Sequence, residues 1–264
     1  MKVELRDVSF FTGDVPLLED ISCIIDEGQC VLVMGPSGSG KTLLMKIMAG
    51  ILPPGKGDVL FDGVSMVGMP DRELDRTRLR QGFVFQDSAL WQNLSVLANL
   101  TLATQYHYPQ RDAATIQQRV DRVRRMMGFT DDLDQRPALL SSGERKMVSI
   151  MRALMLDPEM FFMDEPSGGL DSATTTRLLS VLKELKSRQR TLVISSHNSE
   201  IASQLADWIL VVDEGRLLAY DSVQNLVRTE DARVREILAD VFDLSSTYDA
   251  DILDILGSGD DPFA

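Results

Sequence analysis

Residues 35–42 read Gly35-Pro36-Ser37-Gly38-Ser39-Gly40-Lys41-Thr42 and fit the pattern G-x-x-x-x-G-K-[ST] without a mismatch. The pattern fixes a fold context as well as a ligand. Cys30-Val31-Leu32-Val33-Met34 is an apolar run suited to a buried strand entering the loop. Leu43 to Ala49 reads as a helix leaving it, closed by Gly50. Backbone N–H groups from Gly38 to Thr42 then face one concavity, a nest for phosphate oxygens. Gly35, Gly38 and Gly40 let the chain turn tightly and approach the anion. Lys41 is expected to reach the β- and γ-phosphates, and the Thr42 hydroxyl to ligate Mg²⁺.

Further strands are expected at 3–5, 8–10, 21–25, 58–61, 82–85, 160–163, 191–195 and 208–212, where alternating or continuous apolar residues are bounded by turn signals. Helical spacing marks 111–127, 144–155, 174–187 and 199–205. Strands alternating with helices predict an α/β core with a parallel sheet, and 88–157 reads as a helical insertion. Val234, Ile237, Leu238, Val241 and Phe242 share one face of a helix over 232–242, which Asp231 is placed to cap. That face packs either on its own domain or on a partner subunit.

Phe161-Phe162-Met163-Asp164-Glu165 is an apolar strand delivering two adjacent carboxylates. Buried charge is costly unless it meets a metal or a partner. Asp164 is the natural Mg²⁺ anchor, directly or through water. Glu165 is placed to activate the water that attacks the γ-phosphate. Gln86 ends the strand Phe83-Val84-Phe85 and offers a neutral oxygen to Mg²⁺ or to that water. His197 follows the strand ending at Ser195 and is expected on the same sheet edge, within reach of the γ-phosphate. Leu140-Ser141-Ser142-Gly143-Glu144 opens a helix whose free N–H groups make a second anion site. One P-loop and a second phosphate site on an insertion suggest that two chains share each nucleotide.

The charge balance narrows the partners. A net charge of −13 over 264 residues argues against nonspecific nucleic-acid binding, which needs a basic footprint. Residues 221–264 hold eleven Asp/Glu against three Lys/Arg, and no basic residue follows Asp240. Such a tail is a solvated segment or a contact for a basic surface, and it disfavours direct docking on anionic lipid. No run of 18 apolar residues occurs, so no membrane span is expected, and nothing resembles a signal peptide. Cys23 and Cys30 flank the turn Asp26-Glu27-Gly28 without further ligands at metal spacing, and read as buried, reduced thiols.

Taken together, these motifs resemble, in content and order, the nucleotide-binding subunits of ABC transporters over residues 1 to about 220. Gly35 to Thr42, with Leu43, resembles the Walker A loop and Gln86 the Q-loop. Leu140 to Glu144 resembles the signature LSGGQ, with Ser141, Ser142, Gly143 and Glu144 facing nucleotide. Phe161 to Glu165 resembles Walker B, Gly169-Leu170-Asp171 the D-loop and His197 the H-loop. The resemblance implies an α/β P-loop NTPase (RecA-like) core with an antiparallel β subdomain and a helical insertion. It also implies ATP and Mg²⁺, catalytic roles for Lys41, Gln86, Glu165 and His197, and Mg²⁺ ligation by Thr42, Gln86 and Asp164. The expected domains are 1–220 for the ATPase, with its helical subdomain at about 88–157, and 221–264 for an acidic extension with one amphipathic helix.

The implied partners are a second copy, head to tail, and an integral membrane permease touching Gln86 to Trp91. The implied location is the cytoplasmic face of the inner or plasma membrane, peripheral through that permease. The segments FQDSALWQNLSVLANL (85–100) and DARVREIL (231–238) resemble those of Mla/Mce lipid-transport ATPases, which points to lipid transport with an MCE-type protein reached through the permease. A small-solute importer, an exporter and a soluble non-transport ABC ATPase are the alternatives. Two departures stand out. The signature reads LSSGE, and Glu144 places a negative charge near a polyanion, which is expected to weaken ATP-driven closure by about 1 kcal/mol. Thr12 stands where an adenine-stacking aromatic is often found, leaving Phe10 and Phe11 as nearby candidates.

Overall fold

Cys30–Met34, Met160–Asp164 and Thr191–Ser195 are buried at every position, as parallel strands covered on both faces must be. The computed structural model describes residues 1–242. Its elements are β1 Val3–Thr12, β2 Val15–Ile25, β3 Cys30–Met34, α1 Lys41–Met48, β4 Lys56–Phe61, β5 Val64–Ser65 and α2 Asp71–Leu79. Next come β6 Gln81–Val84, α3 Val96–His107, α4 Ala113–Met127, α5 Ser142–Leu154, β7 Met160–Asp164 and α6 Ser172–Ser187. The chain continues through β8 Thr191–Ser195, α7 Ser199–Leu205, β9 Trp208–Asp213, β10 Arg216–Ser222, α8 Val223–Leu226 and α9 Ala232–Ala239.

Two sheets result. One is antiparallel, in the order β2-β1-β4-β5; the other runs β10-β9-β3-β8-β7-β6. In the second, β9, β3, β8, β7 and β6 are parallel and β10 is an antiparallel edge. Val33 and Asp164 both pair with Ser195, so the carboxyl ends of three central strands share one edge. Ligands of open α/β sheets bind outside that edge.

The alternation of β3 divides the core. Val31 and Val33 meet α1 and the antiparallel sheet, while Leu32 and Met34 meet β9 and α9. A third cluster joins α3, α4 and α5, between β6 and β7, to the sheet through Phe161 and Met163. Asp112 caps α4 by accepting the Thr115 N–H at 2.8 Å, and Gly128, at φ +64°, ends it in the left-handed conformation.

The structure adds α2, α3, α8, β5 and β10 to the expected elements. The expected boundary at 220 falls inside β10, and Val223, Leu226, Val234, Ile237, Leu238 and Val241 share one cluster with Leu32 and Met34 of β3 and Ile209 and Val211 of β9. Asp231 caps α9, and Val234, Ile237 and Leu238 are buried on the chain's own β3 and β9. The helix ends at Ala239, short of Phe242, although Val241 stays buried. The rest of the acidic segment, 243–264, lies outside the described residues. Cys23 and Cys30 are buried free thiols, and burial pushes both up to about 12. Among the described residues no helix is long and apolar enough to cross a membrane.

Candidate nucleotide site

α1 starts on Gly40, whose φ of +104° is open to glycine and whose missing side chain leaves the helix uncapped. Leu44 N–H is the first to bond back, to Gly40 O at 2.8 Å, so the preceding N–H groups lack helix partners. Their partial charge and that of the helix dipole favour an anion. A Cβ at Gly38 would meet nothing within 4 Å, whereas one at Gly35 would fall 1.9 Å from Val212 O. Gly38 therefore borders open space, while Gly35 anchors the loop to β9.

A cavity of about 640 Å³ opens over this helix start. Ser37, Gly38, Gly40, Lys41, Thr42 and Leu43 line it on the loop side. Gln86, Asp164, Glu165 and His197 line it from the ends of β6, β7 and β8. Its apolar wall is Leu17 and Leu52, beside Lys46. Gly35, Pro36 and Ser39 stand behind this lining: the buried Ser39 hydroxyl has no partner, and Ser39 N–H bonds to Pro36 O at 3.2 Å.

Lys41 Nζ donates to the carbonyls of Gly35 at 2.7 Å and Pro36 at 2.9 Å. An ammonium has three donors, so one remains for a ligand. Burial lowers its pKa, opposed by the charges of Glu165 and Asp164. Asp164, 2% exposed, accepts from Thr42 Oγ1 at 2.6 Å and from Ser195 Oγ at 2.5 Å. The chain turns off β7 at Glu165 with φ +46°, held by its N–H on Ser195 O and Oγ, each at 3.1 Å. Glu165 Oε1 lies 3.5 Å from His197 Nε2. Burial raises the Glu165 carboxyl above its ordinary value, partly opposed by His197.

The residues fit a hard divalent cation with phosphate. Among the described residues no group of three or more His, Cys, Asp or Glu could hold a metal alone. One hydroxyl, one carboxylate and one amide around an anion cradle suit Mg²⁺, which keeps water and phosphate oxygens as its other ligands.

The helix start expected to form a second anion site does not line this cavity. Ser141 caps α5, its hydroxyl accepting from Glu144 N–H at 3.2 Å, while Glu144 Oε2 accepts from Ser141 N–H at 2.6 Å. The Glu144 carboxylate is thus turned back into a capping box, and the Ser141 N–H holds its pKa down. A Cβ at Gly143 would fall 2.8 Å from Gly169 O, so this glycine seats the helix start on the 168–170 loop.

Several site residues carry no sequence signal. Ser195 joins Asp164 to Glu165. Leu17 and Leu52 form the apolar wall, while Phe11 lies under Lys56, 5.1 Å from its ring centroid, outside the cavity lining. Trp91 is 58% exposed beside the Gln86 segment, its backbone bonded to the buried Asn99.

Comparison with known proteins gives the same outline. Residues 18–168 match the family described as ABC transporter. The glutamate/aspartate import ATP-binding protein GltL of Escherichia coli (strain K12) is 34% identical over 216 residues, 82% of this chain and 89% of its own. The intermembrane phospholipid transport system ATP-binding protein MlaF of the same organism is 31% identical over 242 residues, 91% of this chain and 90% of its own. An ATP-binding cassette solved as a dimer in a post-hydrolysis state with ADP and Pi superposes with a TM-score of 0.78 at 28% identity, covering 84% of this chain and 98% of that one.

Proposed function

The chain belongs to the ABC transporter family as an ATP-binding, ATP-hydrolysing cassette, and from that premise we propose that it energises a membrane permease that moves phospholipid or a related lipid. The observation that carries the hydrolytic assignment is the meeting of three strand ends at one helix start: Gln86, Asp164, Glu165 and His197 around Lys41 and Thr42.

In this reading the N–H groups at the start of α1 and the Lys41 ammonium bind the β- and γ-phosphates. Bound Mg²⁺ would be held by Thr42, Asp164 and Gln86 and supplies neutralising charge on the phosphate oxygens. Glu165 orients the attacking water and accepts its proton. His197 holds the γ-phosphate and faces Glu165, so proton acceptor and phosphate binder are adjacent. Leu17 and Leu52 cover the base. Ser141 and Gly143 serve the nucleotide of a second copy, which accounts for their distance from the chain's own cavity. The permease docks at Gln86 to Trp91 and holds the chain on the cytoplasmic face of its membrane.

Lipid as cargo is supported by the relative MlaF, whose alignment covers 91% of the chain, and by the segment 231–238, which caps and builds α9. An MCE-type protein would then be reached through the permease. A second reading, a small-solute importer, is favoured by the 34% identity to GltL. Affinity purification of the tagged Glu165→Gln chain from native membranes in mild detergent, with mass spectrometry of proteins and lipids, decides between them. A permease with an MCE-type protein and phospholipid supports lipid transport. A permease with a solute-binding protein overturns it.

A further inference from the structure

Lys146 is 3% exposed, in the second turn of α5. Its Nζ donates to the main-chain carbonyls of Phe85 at 3.0 Å and Gln86 at 2.7 Å, about 60 residues earlier in the chain. From the same helix, Arg152 donates to Ser88 O at 3.1 Å and Ala89 O at 2.7 Å. Ser88 and Ala89 both have positive φ, 67° and 42°, which side chains other than glycine seldom adopt. Four contacts from one helix thus hold a segment that belongs to no strand. A buried ammonium is costly unless its donors are satisfied, and an apolar side chain of similar length would fill the space without that cost. The carbonyls that hold two of the three Lys146 donors lie on either side of the Gln86 Cα and so set where its side chain starts.

We propose that Lys146 is a positioning residue for ATP hydrolysis, fixing the Gln86 main chain so that its amide stays at the cavity beside Asp164 and Glu165. Through α5 it also ties that amide to Ser141, five residues earlier at the helix start. This inference rests on the hydrolytic reading above.

The test uses the full chain, with Lys146→Met, Gln86→Ala, the double substitution and Lys146→Arg. The first readout is amide hydrogen exchange of the peptide covering 85–91, without nucleotide. Lys146→Met raises exchange there about tenfold and leaves α1 unchanged, since only the clamp is lost. The second readout is ATP turnover. Lys146→Met lowers kcat about 10- to 100-fold, the scale of a misplacement near 1 Å. It lowers kcat by no more than about twofold further in the Gln86→Ala background, because a residue that acts through another is not additive with it. Lys146→Arg restores most of both readouts. Lys146→Gln, which keeps an N–H donor, carries the comparison if Lys146→Met does not fold. Unchanged exchange at 85–91, or a full further loss on top of Gln86→Ala, overturns the proposal. A wild-type chain with no turnover would contradict hydrolysis itself, and the exchange data alone would then decide the clamp.

Discussion

Thr42 Oγ1 donates to Asp164 Oδ2 at 2.6 Å, closing a contact between residues 122 apart in the chain. The hydroxyl comes from the first turn of α1 and the carboxylate from the last residue of β7. Ser195 completes the join, bonding Asp164 through its hydroxyl and Glu165 N–H through both of its oxygens. Thr42, Asp164, Ser195 and Glu165 are therefore one hydrogen-bonded unit.

Asp164→Asn separates nucleotide binding from its Mg²⁺ dependence. The P-loop N–H groups and Lys41 remain, so a fluorescent ATP analogue in EDTA binds within about twofold of wild type. The gain in affinity on adding Mg²⁺ is lost, a difference of about 1–3 kcal/mol for a charged partner in a half-buried site. Titration with and without Mg²⁺ measures it.

Gly35→Ala tests the loop's anchorage. The new Cβ would lie 1.9 Å from Val212 O at a φ of +150°. Backbone strain and overpacking together are expected to cost about 3 kcal/mol or more. A lowered urea midpoint with an unchanged slope is the expected result.

Glu144 holds the helix cap and is also expected to carry charge toward a partner's nucleotide. As the partner of Ser141 in a capping box it stabilises α5, and Glu144→Ala is expected to cost about 1 kcal/mol. Glu144→Gln keeps an acceptor for Ser141 N–H but removes the charge that would face a partner's phosphates. In a Glu165→Gln background with ATP, gel filtration should show a monomer with Glu144 and a larger dimer fraction with Gln. A stable dimer in the Glu144 parent contradicts the expectation.

The thiols give a prediction for alkaline pH. Burial pushes Cys23 and Cys30 from 9.0 up to about 12. Raised folded values mean that the stabilisation is complete below the unfolded pKa and is lost as pH rises from about 9 through about 12. Neither thiol should react quickly with a disulfide reagent at pH 8 in the native chain, and both should react after unfolding. Urea melts between pH 8 and 11 should show the decline.

The P-loop, the two acidic residues at the end of β7 and the central strands were legible in the sequence because each is a local pattern: a spacing of glycines, or a buried apolar run ending in charge. Elements without such a pattern were not. In α2 no residue is buried, so there was no apolar stripe to find. In α3, Leu100 is buried while Leu102 and Tyr106 are exposed, which blurs the face; only the Ser95 cap marks its start. The partners of the site were the least legible. Ser195 reads as the end of a strand, and Lys146 as an ordinary helix lysine, until the fold brings them to Asp164 and Gln86. The turned-back Glu144 carboxylate likewise follows from cap geometry more than from its charge.

The most direct measurement is ATP turnover by the wild-type chain and by Glu165→Gln, at saturating ATP and Mg²⁺, with nucleotide binding measured in parallel. Unchanged or tighter binding is expected, with a kcat lower by about 10²–10⁴-fold, the contribution of a positioned base. Equal turnover in the two proteins would contradict the site as described here.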